Sequence, residues 1–258
     1  MLFLLAKILL IDILRLGYCE AQGYHIERKV RIAMVHVLDL DDTHQRRKVV
    51  AEVLAGLRLG EPVAIPTEFG YIFVCDAINP FAIKRLKAAR NDQGSMGYPI
   101  LFSGIDQLMK FAVPVPEILK NVLDEYWSGL LTLEIEKLNK GWDTGDGCKT
   151  KTFYARSTDD PFILEILNSY GPLAITSAST KGWPSLETPE LIEEHFSGKV
   201  HSVIGNGQIA QAGATTVISH EAEEILLLRE GAIEQKQLEQ RFPEINFRSS
   251  TEITEYAK

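Results

Sequence analysis

The run "DDTHQRRKVVAEVLAGLRLGEPVAI", residues 41–65, constrains this chain more than any other stretch: a helix with a signal at each end opens directly into a short apolar strand. Asp42 has the short acceptor side chain of an N-cap, Gln45 stands at the third helical position, and Gly60 supplies the stop. Val49, Val50, Val53, Leu54 and Leu57 recur at helical spacing, so one face of this helix needs a neighbouring layer to bury it. The strand "PVAI" that follows indicates that the layer is a sheet.

The alternation continues along the chain. "NPFAIKRLKAAR" reads as a helix and "YPILF" as a strand, with helices expected near 104–111 and 116–127. Downstream, "LTLEIEKL", "KTFYAR", "LAITSA", "VHSVIG", "ATTVIS" and "EILLLR" read as strands, with helices near 160–170 and 187–197. Strands outnumber helices there, which predicts an α/β fold with a twisted mixed sheet flanked by helices rather than a purely parallel one. "NKGWDTGDGCK", 139–149, is expected to be an exposed, hairpin-like connection.

A chain of 258 residues with 45% hydrophobic content can bury one large core. The expected organisation is an N-terminal extension over 1–33, a single domain over 34–233 and a polar tail over 234–258. The opening "MLFLLAKILLIDILRLG" is interrupted by Lys7, Asp12 and Arg15 and falls short of the roughly 20 apolar residues of a membrane span. Its spacing predicts an amphipathic helix docked on the domain or a partner; a membrane-surface helix would want flanking basic residues, and Met34 offers an alternative start. Cys19, Cys75 and Cys148 are far apart and without CxxC spacing, which argues against a disulfide framework or structural zinc and fits a cytoplasmic protein.

The formal charge is −8, so no global basic field draws in nucleic acid, and any phosphate site must be local. The richest cationic cluster is Lys84, Arg85, Lys87 and Arg90 in one predicted helix, where Lys84, Lys87 and Arg90 share a face that can clamp a polyphosphate or simply be solvated. "ITSASTKG", 175–182, places Ser177 and Ser179 at a strand end, where hydroxyls meet phosphate or ribose in open sheets, or form a plain turn. The six histidines lie in no metal-binding array and no nucleophile elbow exists, so no metal ligands are assigned. In "AIPTEFGYIFVCDA", 64–77, Pro66 is expected to end a strand, with Thr67 and Tyr71 beyond it as candidate contacts.

Taken in order, "IPTEFGY" (65–71), "DAINPFAI" (76–83), "YWSGLLTLEI" (126–135), "TFYAR" (152–156), "PLAITSAS" (172–179), "ATTVIS" (214–219) and "LLREGAI" (227–233) resemble the threonylcarbamoyl-AMP synthase family with its YrdC-like fold. The resemblance implies formation of threonylcarbamoyl-AMP and pyrophosphate from ATP, bicarbonate and L-threonine, with Mg2+ on the phosphates, for later tRNA modification. It implies Thr67, Tyr71, Arg156 and Thr215 as L-threonine contacts and Arg90, Thr152, Ser177, Ser179 and Arg229 as ATP contacts. Arg90 then falls at the family's catalytic lysine, with Lys87 as its substitute.

The same register puts Asp92 at the family's arginine, and Ser179 replaces its asparagine. Aspartate there would repel phosphate, so Asp92→Arg is expected to restore a lost charge. Such replacements resemble YciO-like paralogues, for which the alternative function is holding nucleotide or double-stranded RNA without synthesis.

Overall fold

A computed structural model describes residues 33–36, 42–94, 96–205, 207–209 and 213–249, the first four by backbone. The amphipathic helix expected over "MLFLLAKILLIDILRLG" lies outside the described residues.

The constraining run forms α1 (Thr43–Arg58), which feeds β2 (Val63–Thr67). Asp42 caps α1 as expected, accepting from the His44 and Gln45 amides at 2.7 and 3.3 Å. β2 turns straight back as β3 (Gly70–Asp76), so the stretch 64–77 is a hairpin. Pro66 does not end the strand: it lies inside β2 opposite Tyr71. β2 meets β8 (Ser202–Gly205) only at Ala64, so its second half is an edge where proline's missing N–H is tolerated.

α2 (Pro80–Arg90) starts on the Asn79 cap and stops at Asn91, whose left-handed φ of 55° a short amide side chain tolerates. β4 (Ile100–Phe102), the single turn α3 (Ile105–Leu108) and α4 (Glu117–Tyr126) follow. β5 (Leu131–Glu136) and β6 (Thr152–Ser157) pair antiparallel. α5 (Pro161–Tyr170), β7 (Leu173–Ser177) and α6 (Pro189–Phe196) complete the central part.

Among the described residues, eleven strands form one sheet, in the order β1-β8-β2-β3-β7-β4-β6-β5-β9-β10-β11, with β1 at Ala33–His36, β9 at Thr216–Glu221 and β10 at Glu224–Arg229. Parallel pairs such as β4/β6 and β5/β9 alternate with antiparallel ones, the mixed sheet expected from the strand excess. The polar stretch after residue 233 adds α7 (Gln235–Arg241) and the outermost strand β11 (Asn246–Ser249), whose Phe247 is buried.

The core lies on both faces of the sheet. Val49, Val53 and Leu57 of α1 and Phe162, Ile163 and Ile166 of α5 pack on Val63, Ile65, Val74 and Ile175. On the other face Ile83 and Leu86 of α2 and Leu119 of α4 pack with Phe73, Phe102, Leu133 and Phe153. On β6, Phe153, Ala155 and Ser157 are buried while Thr152, Tyr154 and Arg156 alternate onto the opposite face and stay half-buried. That alternation puts polar side chains in a row on the sheet.

The connection 139–149 departs from expectation, since its centre is buried: Trp142, Thr144 and Asp146 are 8%, 1% and 2% exposed. Lys137, with a fully buried side chain, draws the loop inward through the Trp142 carbonyl at 3.0 Å and the Asp146 carboxylate at 3.3 Å. Burial alone would raise the Asp146 pKa, but the Thr150 hydroxyl and amide, with Lys137, bring it down to about 2. A carboxyl lowered on folding contributes stability above its unfolded pKa and loses it as pH falls through the folded value. Between about pH 4 and pH 2 acid titration should therefore remove about 2 kcal/mol, and Asp146→Asn should flatten that part of a denaturant-midpoint profile.

Candidate active site

The ends of several strands converge on one cleft of about 340 Å³ whose walls include Phe69, Tyr71, Arg156, Ser177, Thr215 and Arg229. The β2–β3 turn makes one wall. The Thr67 hydroxyl donates to the Gly70 carbonyl at 2.7 Å and accepts from the Phe69 amide at 3.1 Å, closing the turn. Gly70, at φ 113°, is where that closure needs glycine. Phe69 is thereby held under the Arg156 guanidinium, 5.3 Å from ring centre to Cζ, a cation–π contact. Arg156 also donates to the Gly129 carbonyl at 3.1 Å.

The opposite wall is a threonine pair with an arginine across it. Thr215 and Thr132 share a hydrogen bond of 2.8 Å between their hydroxyls, and Arg229 donates to the Thr215 carbonyl at 2.8 Å and to its hydroxyl at 3.2 Å. Tyr71 closes the floor by donating to the Gly207 carbonyl at 2.7 Å. Behind this wall Gly231 admits no side chain, since a Cβ there would come within 2.4 Å of the Ala214 carbonyl. Two guanidinium groups thus border a cleft in a chain with net negative charge.

Of the residues expected from sequence, the structure brings Tyr71, Arg156, Ser177, Thr215 and Arg229 to this cleft. Thr67 lies in a small adjoining cavity that shares Phe69 and Arg156 with it. Glu68 is on the same rim, where burial raises its carboxyl above the ordinary range, Asp160 adds to that, and Arg156 opposes it.

Other expected residues lie elsewhere. Ser179 is 1% exposed, 3.2 Å from the Ser177 hydroxyl. Thr152 borders a separate cavity and donates to Glu134 at 2.8 Å.

The cationic face of α2 does not assemble as a clamp. Arg85 is tied to the Leu59 and Gly60 carbonyls, Lys84 points to solvent, and Lys87 donates to the Gly94 and Gly145 carbonyls. Arg90, only 5% exposed, donates through Nε to the Ser179 carbonyl at 2.9 Å. Its other side meets Asp92 at 4.0 Å, and the Tyr98 hydroxyl donates to the same carboxylate at 3.0 Å. Burial would raise the Asp92 pKa, but the Gly94 amide, Tyr98, Lys181 and Arg90 together lower it. Asp92 is thus an internal acceptor that braces the strand end carrying Ser177 and Ser179. It presents no charge to the cleft.

Sequence reasoning missed Phe69 and Glu134. For Glu134 a signal was present: Thr132, Glu134 and Glu136 alternate through "LTLEIEKL", the period-two pattern of a strand with a polar face. Among the described residues no group of three or more His, Cys, Asp or Glu side chains is placed to hold a metal ion, and no helix is long and apolar enough to cross a membrane.

The family model for Sua5, YciO and YrdC proteins, described as telomere recombination, matches residues 55–231. The chain belongs to this family. The match runs from the end of α1 to the loop beyond β10 and so contains every wall of the cleft described above.

A threonylcarbamoyl-AMP synthase of Bacillus subtilis is 28% identical over 191 residues, covering 74% of this chain and 55% of the relative. This Sua5/YciO/YrdC chain therefore spans little more than half the length of that protein. Pyrococcus abyssi Sua5, solved in complex with L-threonine, superposes with a TM-score of 0.70 at 26% identity, over 84% of this chain and 62% of the other. Escherichia coli YciO superposes with a TM-score of 0.65 at 20% identity over 80% of this chain and 98% of its own, a likeness of fold.

Proposed function

We propose that the cleft forms threonylcarbamoyl-AMP and pyrophosphate from ATP, bicarbonate and L-threonine, a nucleotidyl transfer that serves tRNA modification. The observation that carries this reading is the convergence of Arg156, Arg229, Thr215, Ser177 and Tyr71 on one cleft. The names of the relatives support it, as does the threonine complex of Pyrococcus abyssi Sua5.

In this reading the Arg156 guanidinium, which lies over the Phe69 ring, pairs with the carboxylate of L-threonine. Thr215 meets the same substrate, and Thr67 acts through the turn it closes. Arg229 and Ser177 face the phosphates.

The threonine amine combines with bicarbonate to give a carbamate with loss of water. A carbamate oxygen then attacks the α-phosphorus, and the bond to the bridging oxygen breaks as pyrophosphate leaves. No covalent bond to the protein is required: the cleft orients the two reactants and offsets negative charge as it develops. Mg2+ would travel with the nucleotide phosphates and neutralise them.

A second reading is favoured by a specific observation: Lys87 and Arg90 are both committed to backbone carbonyls, so α2 lends the cleft no cation. A YciO-like paralogue that holds nucleotide or double-stranded RNA without synthesis would look like this. Purified protein supplied with ATP, bicarbonate and L-threonine should release pyrophosphate only when all three are present. ATP binding without threonine-dependent release would select the second reading and reject the first.

A further inference from the structure

A second cavity, of about 310 Å³, opens beside Tyr98, which directly precedes the cleft residue Pro99. Tyr98, Tyr154 and Met96 give it aromatic and apolar walls, Lys149 stands exposed at its rim, and Glu134 is its one carboxylate.

Glu134 pairs with Tyr154 across β5 and β6, so its side chain shares the face that carries Thr152, Tyr154 and Arg156. Arg156 is its diagonal neighbour, a separation of about 7–8 Å in an antiparallel pair. Thr152 donates to Oε1 of Glu134 at 2.8 Å and so fixes the carboxylate's orientation. A carboxylate has about four acceptor positions, which leaves others for a ligand.

What Glu134 can accept is restricted by its sign. Phosphate is repelled, whereas neutral neighbouring hydroxyls match two carboxylate oxygens. In a nucleotide those hydroxyls belong to the ribose, and the phosphates leave the sugar on the other side, away from the carboxylate.

We propose that this cavity is the nucleoside subsite of the cleft and that Glu134, oriented by Thr152, accepts hydrogen bonds from the ribose 2′- and 3′-hydroxyls, selecting ribonucleotides over 2′-deoxyribonucleotides. The proposal rests on the nucleotide-binding reading above. Thr152 is then a positioning residue that meets ATP through Glu134.

Calorimetric titration of the full chain with ATP and with 2′-deoxy-ATP tests it. ATP should bind roughly tenfold more tightly, the loss expected when one hydrogen bond to a charged acceptor is removed. Glu134→Gln keeps an acceptor for Thr152, and Glu134→Leu removes it; both should bring the two nucleotides close to equal affinity by weakening ATP alone. Inorganic tripolyphosphate should bind all three proteins alike. Equal affinity of the native chain for ATP and 2′-deoxy-ATP, or a preference that survives both substitutions, overturns the subsite and leaves the nucleotide reading standing. If neither ATP nor 2′-deoxy-ATP binds, both the subsite and the nucleotide reading are overturned.

Discussion

Asp92→Arg should destabilise the protein by about 3–5 kcal/mol, the range expected when a buried charge loses its partner, rather than rebuild a phosphate clamp. The substitution sets a second guanidinium beside Arg90 at a position 7% exposed. It also removes the acceptor for the Tyr98 hydroxyl and the Gly94 amide. Thermal melting of Asp92→Arg beside Asp92→Asn checks this, because asparagine keeps the acceptor and loses only the charge. A variant that melts with the native protein and binds ATP more tightly would show that Asp92 faces the cleft after all.

Arg156→Ala should weaken L-threonine binding by about 2–3 kcal/mol, near a hundredfold in affinity, because the ligand carboxylate loses a charge-assisted pair. The fold should tolerate the change far better than it tolerates Asp92→Arg: Arg156 is half-buried at the edge of the cleft, where its contacts include the Gly129 carbonyl and the Phe69 ring. Arg156→Lys separates charge from geometry. It keeps the charge and loses the planar fork, so it should recover only part of the affinity. Threonine affinity unchanged in Arg156→Ala, in a protein that still melts near the native temperature, would move the amino-acid site elsewhere.

Much of the fold was legible because its signals are local. Asp42, Asn79 and Asp160 each cap the helix that follows them, and each was followed by apolar residues at helical spacing. The hairpin at 64–77 was harder to read, since Pro66 resembles a strand terminator unless the neighbour beyond β2 is known. The loop 139–149 was misjudged for a similar reason. Its glycines and aspartates have the composition of a surface turn, and only the buried Lys137 beneath it explains why it folds inward.

The site divided along the same line. Residues at strand ends, such as Arg156, Ser177 and Thr215, share one cleft because strand order carries them to one place. The cations of α2 were misplaced because periodicity shows which residues share a face, not what that face meets. Asn91 ends α2 in a left-handed turn, and the next residue is carried into the interior with Tyr98 as its partner. No spacing rule in the sequence reveals that partner.

The sheet order bears on how the protein reaches its folded state. β8 joins β1 to β2, so residue 203 must meet residues 34 and 64 before that end of the sheet exists. Tyr71 likewise donates to the carbonyl of Gly207, far along the chain. Pairings this distant along the chain require loop closure before any contact rewards it, the condition that slows folding most. A polypeptide emerging from the ribosome would complete the β2–β3 hairpin early, with both edges unpaired, and gain β7 and then β8 only after most of the chain had been made. The cleft is therefore among the last parts to assemble, and until then the unpaired edges of the β2–β3 hairpin are open to pairing with other chains.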